Sequence, residues 1–435
     1  MSDVSRWRVG AVASACALAL GLTACGADEG GSKGDVKFDA GVTEEACPDS
    51  TNSDNGCIYL GTLSDLTEGP FAPLGQEIVK GQKAFWDRVN EQGGIGGFDI
   101  DVTEYVRDNK YNPEEHVAKL REIEPDVAAL AQSLGTPPTL AALDVMKEND
   151  IVASPATWWS GWAFEDEGLV LESGYSYCVE AMNGLDYAAE EFGNPKSVLA
   201  VGYPGDYGGD GAAGAEAWAK ENGATVKNVE TAPNAQAGNQ DAAVKAVVSG
   251  NPDIVYLNTG PAEMAEIVGK AVAGGFEGEF VGSVPTFNPA VLKSEAAPAI
   301  KAKYRFVSPW GPFGSDTEAH KAMEEAVGGK LPANDGYTFG WVWSYPVKAA
   351  LEAAAKDSDL TRAGIRTAAE SATVDYEGAL PDRKYSGEPN ETVVRQALIA
   401  KPDDSAPLGA SVEKDFFTGP TAEKFQVDEP CSQAG

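Results

Sequence analysis

Few side chains in this sequence have the type and spacing of a catalytic site. The two histidines, His116 and His320, fall on predicted polar helices, and we expect both to be satisfied surface residues. The spacings of a nucleophile elbow, a P-loop and a Cys/His zinc cluster are missing. The segment 49–56 is acidic but lacks the ordered oxygen ligands of a calcium loop. The sequence therefore predicts no enzyme activity, no metal site and no cofactor.

The N-terminus has the features of an export signal that ends at a cysteine. Arg6 and Arg8 precede an apolar run over residues 9–22, which is too short to span a bilayer comfortably. The following Thr23, Ala24 and Cys25 complete a resemblance to the bacterial lipobox. In this interpretation residues 1–24 are a lipoprotein signal peptide and Cys25 carries the lipid. A weak membrane anchor and an ordinary signal are the alternatives.

The remaining cysteines are suited to disulfide chemistry. Cys16 leaves with the signal, so an exported chain retains an even number: Cys47, Cys57, Cys178 and Cys431. Four cysteines allow three pairings, and the sequence alone does not choose among them. Our prediction is Cys47 with Cys57 across a short polar loop, and Cys178 with Cys431, which would tie the C-terminal tail to the body.

Composition describes an exported, acidic chain of more than one domain. Its 435 residues exceed a typical domain, and a hydrophobic fraction of 43% supports a sizeable core. A net charge of −34 disfavours binding to nucleic acid. Residues 26–39 are rich in Gly, Asp and Ser, which predicts a flexible tether within a segment 25–56 that also holds the Cys47–Cys57 loop.

The body of the chain alternates short apolar runs with amphipathic stretches. Strands are predicted at 58–63, 100–106, 127–131, 151–153, 197–202, 225–230, 254–257 and 280–282, with helices between them. Three further helices, at 316–327, 341–356 and 361–371, follow without an intervening strand. This alternation predicts parallel sheets covered by helices, and the pattern restarts near residues 172–177, which indicates two similar units.

An ordered set of motifs accompanies these elements between about residues 57 and 378. The set comprises Gly69-Pro70-Phe71-Ala72, Gly93-Gly94-Ile95, Tyr111-Asn112-Pro113, Leu134-Gly135-Thr136, Ser154-Pro155-Ala156-Thr157, Tyr207-Gly208 and Asn251-Pro252-Asp253. Each motif is weak alone, but in this order the sequence resembles the branched-chain amino-acid-binding (leucine-binding-like) family of type I periplasmic binding proteins.

The resemblance implies two Rossmann-like α/β lobes, joined by a three-strand hinge, that hold a ligand between them. The implied boundaries are residues 57–176 plus 308–380 for lobe 1 and 177–307 plus 381–435 for lobe 2. Open parallel sheets bind ligands beyond the carboxyl ends of their strands. That rule names the loops 64–70, 132–136, 154–162 and 203–207, together with Asn258 and 283–286.

Several residues match ligand-binding positions of that family. The resemblance implies that Thr136 binds a ligand carboxylate, that Ala156 and Thr157 meet an ammonium group, and that Tyr207 and Leu74 line the pocket. A plain helix N-cap is the alternative role for Thr136.

Two other positions depart from the family pattern. By a gap-free count, Gly260 and Val284 stand where amino-acid-binding members carry a tyrosine and an acidic residue. An ammonium group loses its hydration when it is buried in a cleft, and without a carboxylate partner little offsets that free-energy cost. The solute class therefore stays open among small amino acids, amides and aromatic acids.

Tryptophans supply the remaining candidate ligand contacts. Trp158, Trp159 and Trp162 share one predicted cleft loop, where they would either stack on a ligand or pack the edge of a lobe. Trp158 is the strongest candidate of the three. Trp310, Trp341 and Trp343 are expected in the core or hinge.

Taken together, the sequence predicts a monomeric solute-binding lipoprotein on the outer face of a bacterial cytoplasmic membrane. Its expected partners are a small solute, the permease subunits of an ABC importer and the membrane that holds its lipid. A sensor lipoprotein that signals to a membrane receptor has the same fold and is the main alternative. An exported enzyme with a similar body is the third interpretation.

Overall fold

A computed structural model describes residues 36–165 and 168–434 and contains two large β-sheets, each packed against helices. The proposed lipid site Cys25 and most of the predicted tether lie outside these residues. No helix within the described ranges is long and apolar enough to cross a membrane.

The first sheet is built around one long central strand. A two-residue strand, β1 (Lys37–Phe38), precedes this sheet and is not part of it. The strands of the sheet are β2 (Val42–Thr43), β3 (Gly56–Ser64), β4 (Phe98–Asp101), β5 (Val106–Asp108), β6 (Ala129–Leu134) and β7 (Ala153–Ala156). β4, β5 and β6 pair with β3 in parallel, β7 pairs with β6 in parallel, and β2 is antiparallel.

The second sheet has seven strands and a mixed direction. The remaining strands of the described chain are β8 (Ser197–Gly202), β9 (Thr225–Glu230), β10 (Ile254–Asn258), β11 (Glu279–Ser283), β12 (Tyr304–Ser308), β13 (Asp359–Leu360), β14 (Thr373–Val374), β15 (Arg383–Lys384), β16 (Ala397–Pro402) and β17 (Ala410–Phe417). Of these, β13, β14 and β15 lie outside the second sheet. The order in this sheet is β17-β16-β12-β11-β10-β8-β9. The pairs β12–β16 and β16–β17 are antiparallel, and the other neighbouring pairs are parallel.

Helices cover the faces of both sheets. They are α1 (Ala72–Glu91), α2 (Pro113–Ile123), α3 (Thr136–Glu148), α4 (Trp162–Glu165), α5 (Tyr177–Glu191), α6 (Asp206–Asn222), α7 (Asn234–Ala237), α8 (Asp241–Gly250), α9 (Pro261–Ala273), α10 (Ala297–Lys303), α11 (Glu318–Val327), α12 (Gly336–Lys356), α13 (Arg362–Ser371), α14 (Pro389–Thr392) and α15 (Pro420–Lys424). Short 3₁₀ turns occupy Glu124–Asp126, Val284–Thr286 and Pro289–Lys293.

The chain passes between the two sheets three times, after β7, after β12 and after β14. We call the first sheet with α1–α3 and α11–α13 the first lobe, and the second sheet with α5, α6, α8–α10 and α15 the second lobe. The prediction of an α/β protein with two parallel-rich lobes joined by three crossings is confirmed.

The N-terminal segment is more ordered than the prediction of a tether allows. Lys37–Phe38 pairs with Asp359–Leu360, and Val42–Thr43 extends the first sheet. The buried carboxylate of Asp99 accepts hydrogen bonds from the backbone N–H groups of Thr51 and Asn52, both at 2.9 Å. The prediction of a tether over residues 26–39 is therefore wrong for residues 36–39, because they pair and bond with the first lobe.

Eight strands were missing from the sequence-based prediction, namely β1, β2, β12, β13, β14, β15, β16 and β17. β12 and β16 are short, fully or largely buried apolar runs, and β13 separates α12 from α13, where no strand was expected. Buried strands show no period-two alternation, so periodicity cannot reveal them.

Both predicted disulfides form. Cys47 pairs with Cys57, and Cys178 on α5 pairs with Cys431 in the tail. The tail is also held by hydrogen bonds, since Trp159 Nε1 donates to the carbonyl of Ser432 at 2.9 Å. The C-terminus is thus fastened beside the crossing that follows β7.

The two histidines are satisfied, but they are not on the surface. His116 is buried, and its ring nitrogens contact Asn109 Nδ2 at 2.9 Å and Ser133 Oγ at 3.0 Å. His320 is also buried and bonds Thr317 and the carbonyl of Gly311. Burial lowers the pKa of His116 to about 3, so the ring is neutral. The prediction of surface positions is wrong because the polar helices turn these residues inward.

Candidate functional site

The carboxyl ends of strands from both sheets open onto one cavity of about 580 Å³. Its walls come from the segments that follow β3, β5, β6, β7, β8, β9 and β11, together with Phe339 and Trp343 on α12. Open α/β sheets bind ligands in crevices of this kind. Asn258, which was also expected there, is buried and does not line the cavity.

Three side chains from the two lobes form a hydrogen-bonded chain at this cavity. Thr136 Oγ1 in the first lobe donates to Asp206 Oδ2 in the second at 2.6 Å. Thr157 Oγ1 lies 2.5 Å from Thr136 Oγ1. Each hydroxyl has one proton, so with Asp206 ionised Thr157 donates to Thr136 and Thr136 donates to the carboxylate. These three residues connect the lobes across the cleft.

Two glycines place Thr136 and Asp206 at the starts of their helices. Gly135 (φ 99°) precedes α3 and Gly205 (φ 87°) precedes α6, and both values lie in the region that favours glycine. A side chain at position 135 would also meet the Tyr111 ring at 2.6 Å. Thr136 is therefore the first residue of α3 and not its N-cap, so the alternative role given to it is wrong.

Asp206 is a carboxyl group buried without a basic partner. Burial raises its pKa to about 6, although the hydrogen bond from Thr136 and nearby backbone N–H groups oppose this shift. Among the described residues that line the cavity, Lys110 is the one basic side chain, and it lies at an exposed position beside Glu68. A ligand that donates hydrogen bonds, or carries a positive charge, would compensate the ionised form.

Aromatic side chains form most of the remaining wall. The ring centroids of Tyr177 and Tyr207 are 4.7 Å apart, and those of Trp158 and Tyr177 are 5.7 Å apart. Trp158 Nε1 donates to the carbonyl of Ser173 at 2.7 Å, and Phe71 lies against Tyr111. With its polar atom satisfied elsewhere, Trp158 offers the cavity an apolar face.

The sequence-predicted site residues divide between two cavities. Those that line the first cavity are Leu74, Ala156, Thr157, Trp158 and Tyr207. Thr136 is fully buried and reaches it through its hydrogen bonds. Gly260 and Val284 line an adjoining cavity of about 810 Å³. Leu74 belongs to both.

The other tryptophans occupy the core and the hinge. Trp310, Trp341 and Trp343 are buried, and Trp310 and Trp343 pack on Trp158 with ring centroids 5.4 Å and 5.1 Å away. Trp159 and Trp162 pack on each other and do not line the first cavity. The prediction of core or hinge packing is confirmed for Trp310 and Trp341, whereas Trp343 is buried but also lines the first cavity.

Sequence reasoning missed two buried carboxyl groups on α6. Asp206 lies in a loop that was named, but nothing in its spacing distinguished it from a surface acid. Asp210 accepts hydrogen bonds from Ser160 N at 2.7 Å, Ser160 Oγ at 2.9 Å and Ser432 N at 3.0 Å. It thereby joins the loop after β7, α6 and the tail. Neither role is visible without the tertiary contacts.

Within residues 36–165 and 168–434, no group of three or more His, Cys, Asp or Glu side chains is arranged to hold a metal ion. The site consists of hydroxyls, one buried acid and aromatic rings between two lobes.

A family model described as periplasmic binding protein matches residues 58–406. The chain belongs to the periplasmic binding protein family. Proteins of this family bind solutes, and the type I resemblance is confirmed.

Solved structures of ABC-transporter binding proteins share the fold. A fatty acid ABC transporter substrate-binding protein from Thermomonospora curvata is 27% identical, with a TM-score of 0.80 over 90% of this chain and 97% of that one. A branched-chain amino acid ABC transporter protein from Thermus thermophilus with bound valine is 17% identical, with a TM-score of 0.72 over 85% and 98%.

A third structure carries an aromatic acid. A solute-binding protein from R. palustris in complex with benzoate is 16% identical, with a TM-score of 0.68 over 85% of this chain and 99% of that one. The last two likenesses show the fold alone. Among curated proteins, none matches the chain.

Proposed function

We propose that this protein is the solute-binding component of an ABC importer, and that its solute joins a polar head to an apolar body. The observation that carries this proposal is the hydrogen-bonded chain Thr157–Thr136–Asp206, which links the lobes inside an aromatic cavity. The names of the similar structures and the family support the transport role.

The proposed mechanism is closure of the lobes around the solute. A solute that bonds Thr157 and Thr136 on one side and Asp206 on the other makes its full set of contacts only in the closed form. Ligand binding then shifts the population toward that form. The closed protein docks on the permease as a monomer, and lipid on Cys25 keeps it at the outer face of the cytoplasmic membrane. A sensor would use the same cleft, but the similar structures support import.

For the head of the solute, an amino acid or an amide fits best. Asp206 supplies the buried acid that Val284 does not, and it reaches the cleft from the start of α6. An ammonium or amide N–H would replace Thr136 as a hydrogen-bond donor to this carboxylate. The hydroxyl proton of Thr136 that is thereby released would pass to a carboxylate or carbonyl of the solute.

A carboxylic acid without a nitrogen is the second candidate. It is favoured by the apolar walls and by the name of the Thermomonospora curvata protein. Such a solute requires Asp206 to be protonated, so that it donates a hydrogen bond instead of repelling the solute.

The direct test is a thermal-shift screen of residues 26–435 against amino acids, amides and carboxylic acids. A solute present at 100 times its dissociation constant should stabilise the fold by roughly 2.7 kcal/mol. Thr157→Val should weaken the best solute by about tenfold, since one buried hydrogen bond is lost. Thr373→Val, at an exposed strand position, is the matched control. Equal affinity in the two variants would show that the site lies elsewhere.

A further inference from the structure

The adjoining cavity continues directly from the proposed site. Its volume is about 810 Å³, and it shares Phe71, Leu74, Tyr203 and Phe339 with the wall of the first cavity. One side comes from α1 and the start of α12 in the first lobe, and the other from the segments after β9, β10 and β11 and from Phe306 on β12 in the second. A solute held by its head at Thr157 and Asp206 therefore has room to extend.

The far end of this cavity is apolar. Phe287 and Phe306 stack with ring centroids 4.9 Å apart and an interplanar angle of 8°. Val291, Leu408 and Ala410 complete that end, and each is buried within the fold. These side chains offer only hydrocarbon surface, which water covers at a free-energy cost.

The acids in the wall already have partners. Glu263 accepts hydrogen bonds from Tyr203 Oη at 2.9 Å and Asn234 N at 2.7 Å. Asp335 Oδ1 accepts from Phe313 N at 3.0 Å and from a threonine hydroxyl. No Lys or Arg is among the described residues that line this cavity. Nothing there calls for a charged or strongly polar ligand group.

We propose that this second cavity holds an unbranched hydrocarbon chain, whose polar head occupies the Thr157–Thr136–Asp206 site. This inference rests on the proposed function and narrows it: the solute is an amphiphile, a long-chain acid or a long-chain 2-amino acid. A compact solute such as valine would lie within the first cavity and leave the second wet.

The test measures affinity along two homologous series, the straight-chain carboxylic acids from butyrate to palmitate and the matching 2-amino acids. Each methylene that enters the cavity should tighten binding by roughly threefold until the chain reaches the far wall. Ala265→Phe and Ala410→Phe fill the cavity from two sides. Both should weaken the long members by about tenfold or more and leave the shortest binding members unchanged.

Ala273→Phe is the matched control, because Ala273 is an exposed residue on the same helix as Ala265. Thermal melting of each variant establishes that it is folded. The inference is overturned if affinity does not rise with chain length while short solutes bind, or if both filled variants lose short and long members equally. If no member of either series binds, and no compact solute binds either, the proposed function itself fails.

Discussion

At the scale of single residues, the distinctive feature is that several carboxyl groups are buried in or near the cleft without a Lys or Arg of the described residues bonded to them. Asp206 faces the cavity, Asp210 lies one turn further along α6, and Glu180 on α5 is buried in the second lobe. Glu180 accepts hydrogen bonds from Tyr175 Oη and Val284 N, both at 3.1 Å. Burial raises the pKa of Glu180 to about 8, and these hydrogen bonds only partly oppose it.

The pH dependence of solute binding should identify the head group. An ammonium head binds the ionised form of Asp206, whose pKa is about 6, so affinity should rise with pH up to that value and then level off. A carboxylate head needs the protonated form, so affinity should fall by about tenfold per pH unit above the pKa. Isothermal titration calorimetry between pH 5 and 8, roughly the range over which Asp206 titrates, measures this directly.

Two aspartate variants sharpen that measurement. Asp206→Asn should abolish the pH dependence and weaken an ammonium-bearing solute, because the amide carries no charge. Asp144→Asn, at an exposed position on α3, should leave the profile unchanged. A profile that survives in Asp206→Asn would mean that another group governs binding.

Glu180 should make stability depend on pH. Because its pKa is raised in the folded state, the folded protein binds this proton more tightly than the unfolded chain does. Stability should therefore decrease as pH rises from about 4.5, the ordinary value, to about 8. Glu180→Gln has the shape of the protonated glutamate and carries no charge. Its free energy of unfolding should therefore match that of the native protein near pH 4.5 and exceed it above pH 8.

The expected gain for Glu180→Gln is on the order of 3 kcal/mol in alkaline buffer. Urea denaturation on both sides of the titration measures it, with Glu325→Gln on the exposed face of α11 as the control. A variant that loses stability equally at every pH would show that Glu180 acts only through its hydrogen bonds.

At the scale of elements, the first lobe depends on close contact between α1 and α12. A Cβ on Gly81 would fall on the carbonyl oxygen of Tyr337, and one on Gly340 would fall on that of Ile78. Phe85 on α1 packs edge-on against Trp341 on α12, with ring centroids 5.5 Å apart. The two glycines let the helix backbones meet, and the large rings fill the space beside them.

Gly340→Ala should therefore destabilise the protein, although alanine is the better helix former. Steric overlap with the backbone of α1 should cost about 1–3 kcal/mol, which thermal melting or urea denaturation would measure. Gly250→Ala on α8 is the control, because its nearest neighbour would be Pro252 Cδ at 3.9 Å. It should be neutral or slightly stabilising. Similar losses in both would contradict the packing argument.

The helices and strands also show which elements can be predicted from hydrophobic periodicity. Amphipathic helices such as α11 and α13 were predicted within a few residues of their ends, because each has one apolar face. β12 and β16 were not predicted, because strands buried on both sides present no alternation and are short. Residues 36–39 look like part of a polar tether in sequence, yet Lys37–Phe38 pairs with the distant strand β13.

At the scale of the whole molecule, the two lobes would capture the solute, and the lipid would hold the protein at the membrane. The acidic surface, with a net charge of −34, favours solubility beside the membrane and not adhesion to an anionic surface. The lobe boundaries at residues 57–176 plus 308–380, and 177–307 plus 381–435, remain a prediction that limited proteolysis can address.

Membrane attachment should depend on one thiol. Cys25→Ser should release the protein from the membrane fraction, because the lipid has no other acceptor in the proposed motif. Cys16→Ser, inside the predicted signal, should remain attached. Mass spectrometry of the mature N-terminus should find a lipid-modified Cys25. A free amine at any other residue would remove the anchor from the proposal.

The sequence by itself determined the type I family, the alternation of strands and helices, and the even set of disulfide cysteines, while the export signal stays a prediction. These features are local, since spacing, composition and ordered motifs are written along the chain. Thr157 and Tyr207 line the first cavity as the strand-end rule expected, and Leu74 lines it as the family resemblance implied. That these residues contact a ligand stays a prediction.

Only the tertiary structure decided the chemistry of that cleft. Asp206 becomes a buried acid bonded to Thr136 because α6 approaches α3 from the other lobe, and burial raises its pKa. His116 and His320 become internal for a similar reason. Desolvation depends on what packs around a side chain, and those neighbours come from distant parts of the sequence.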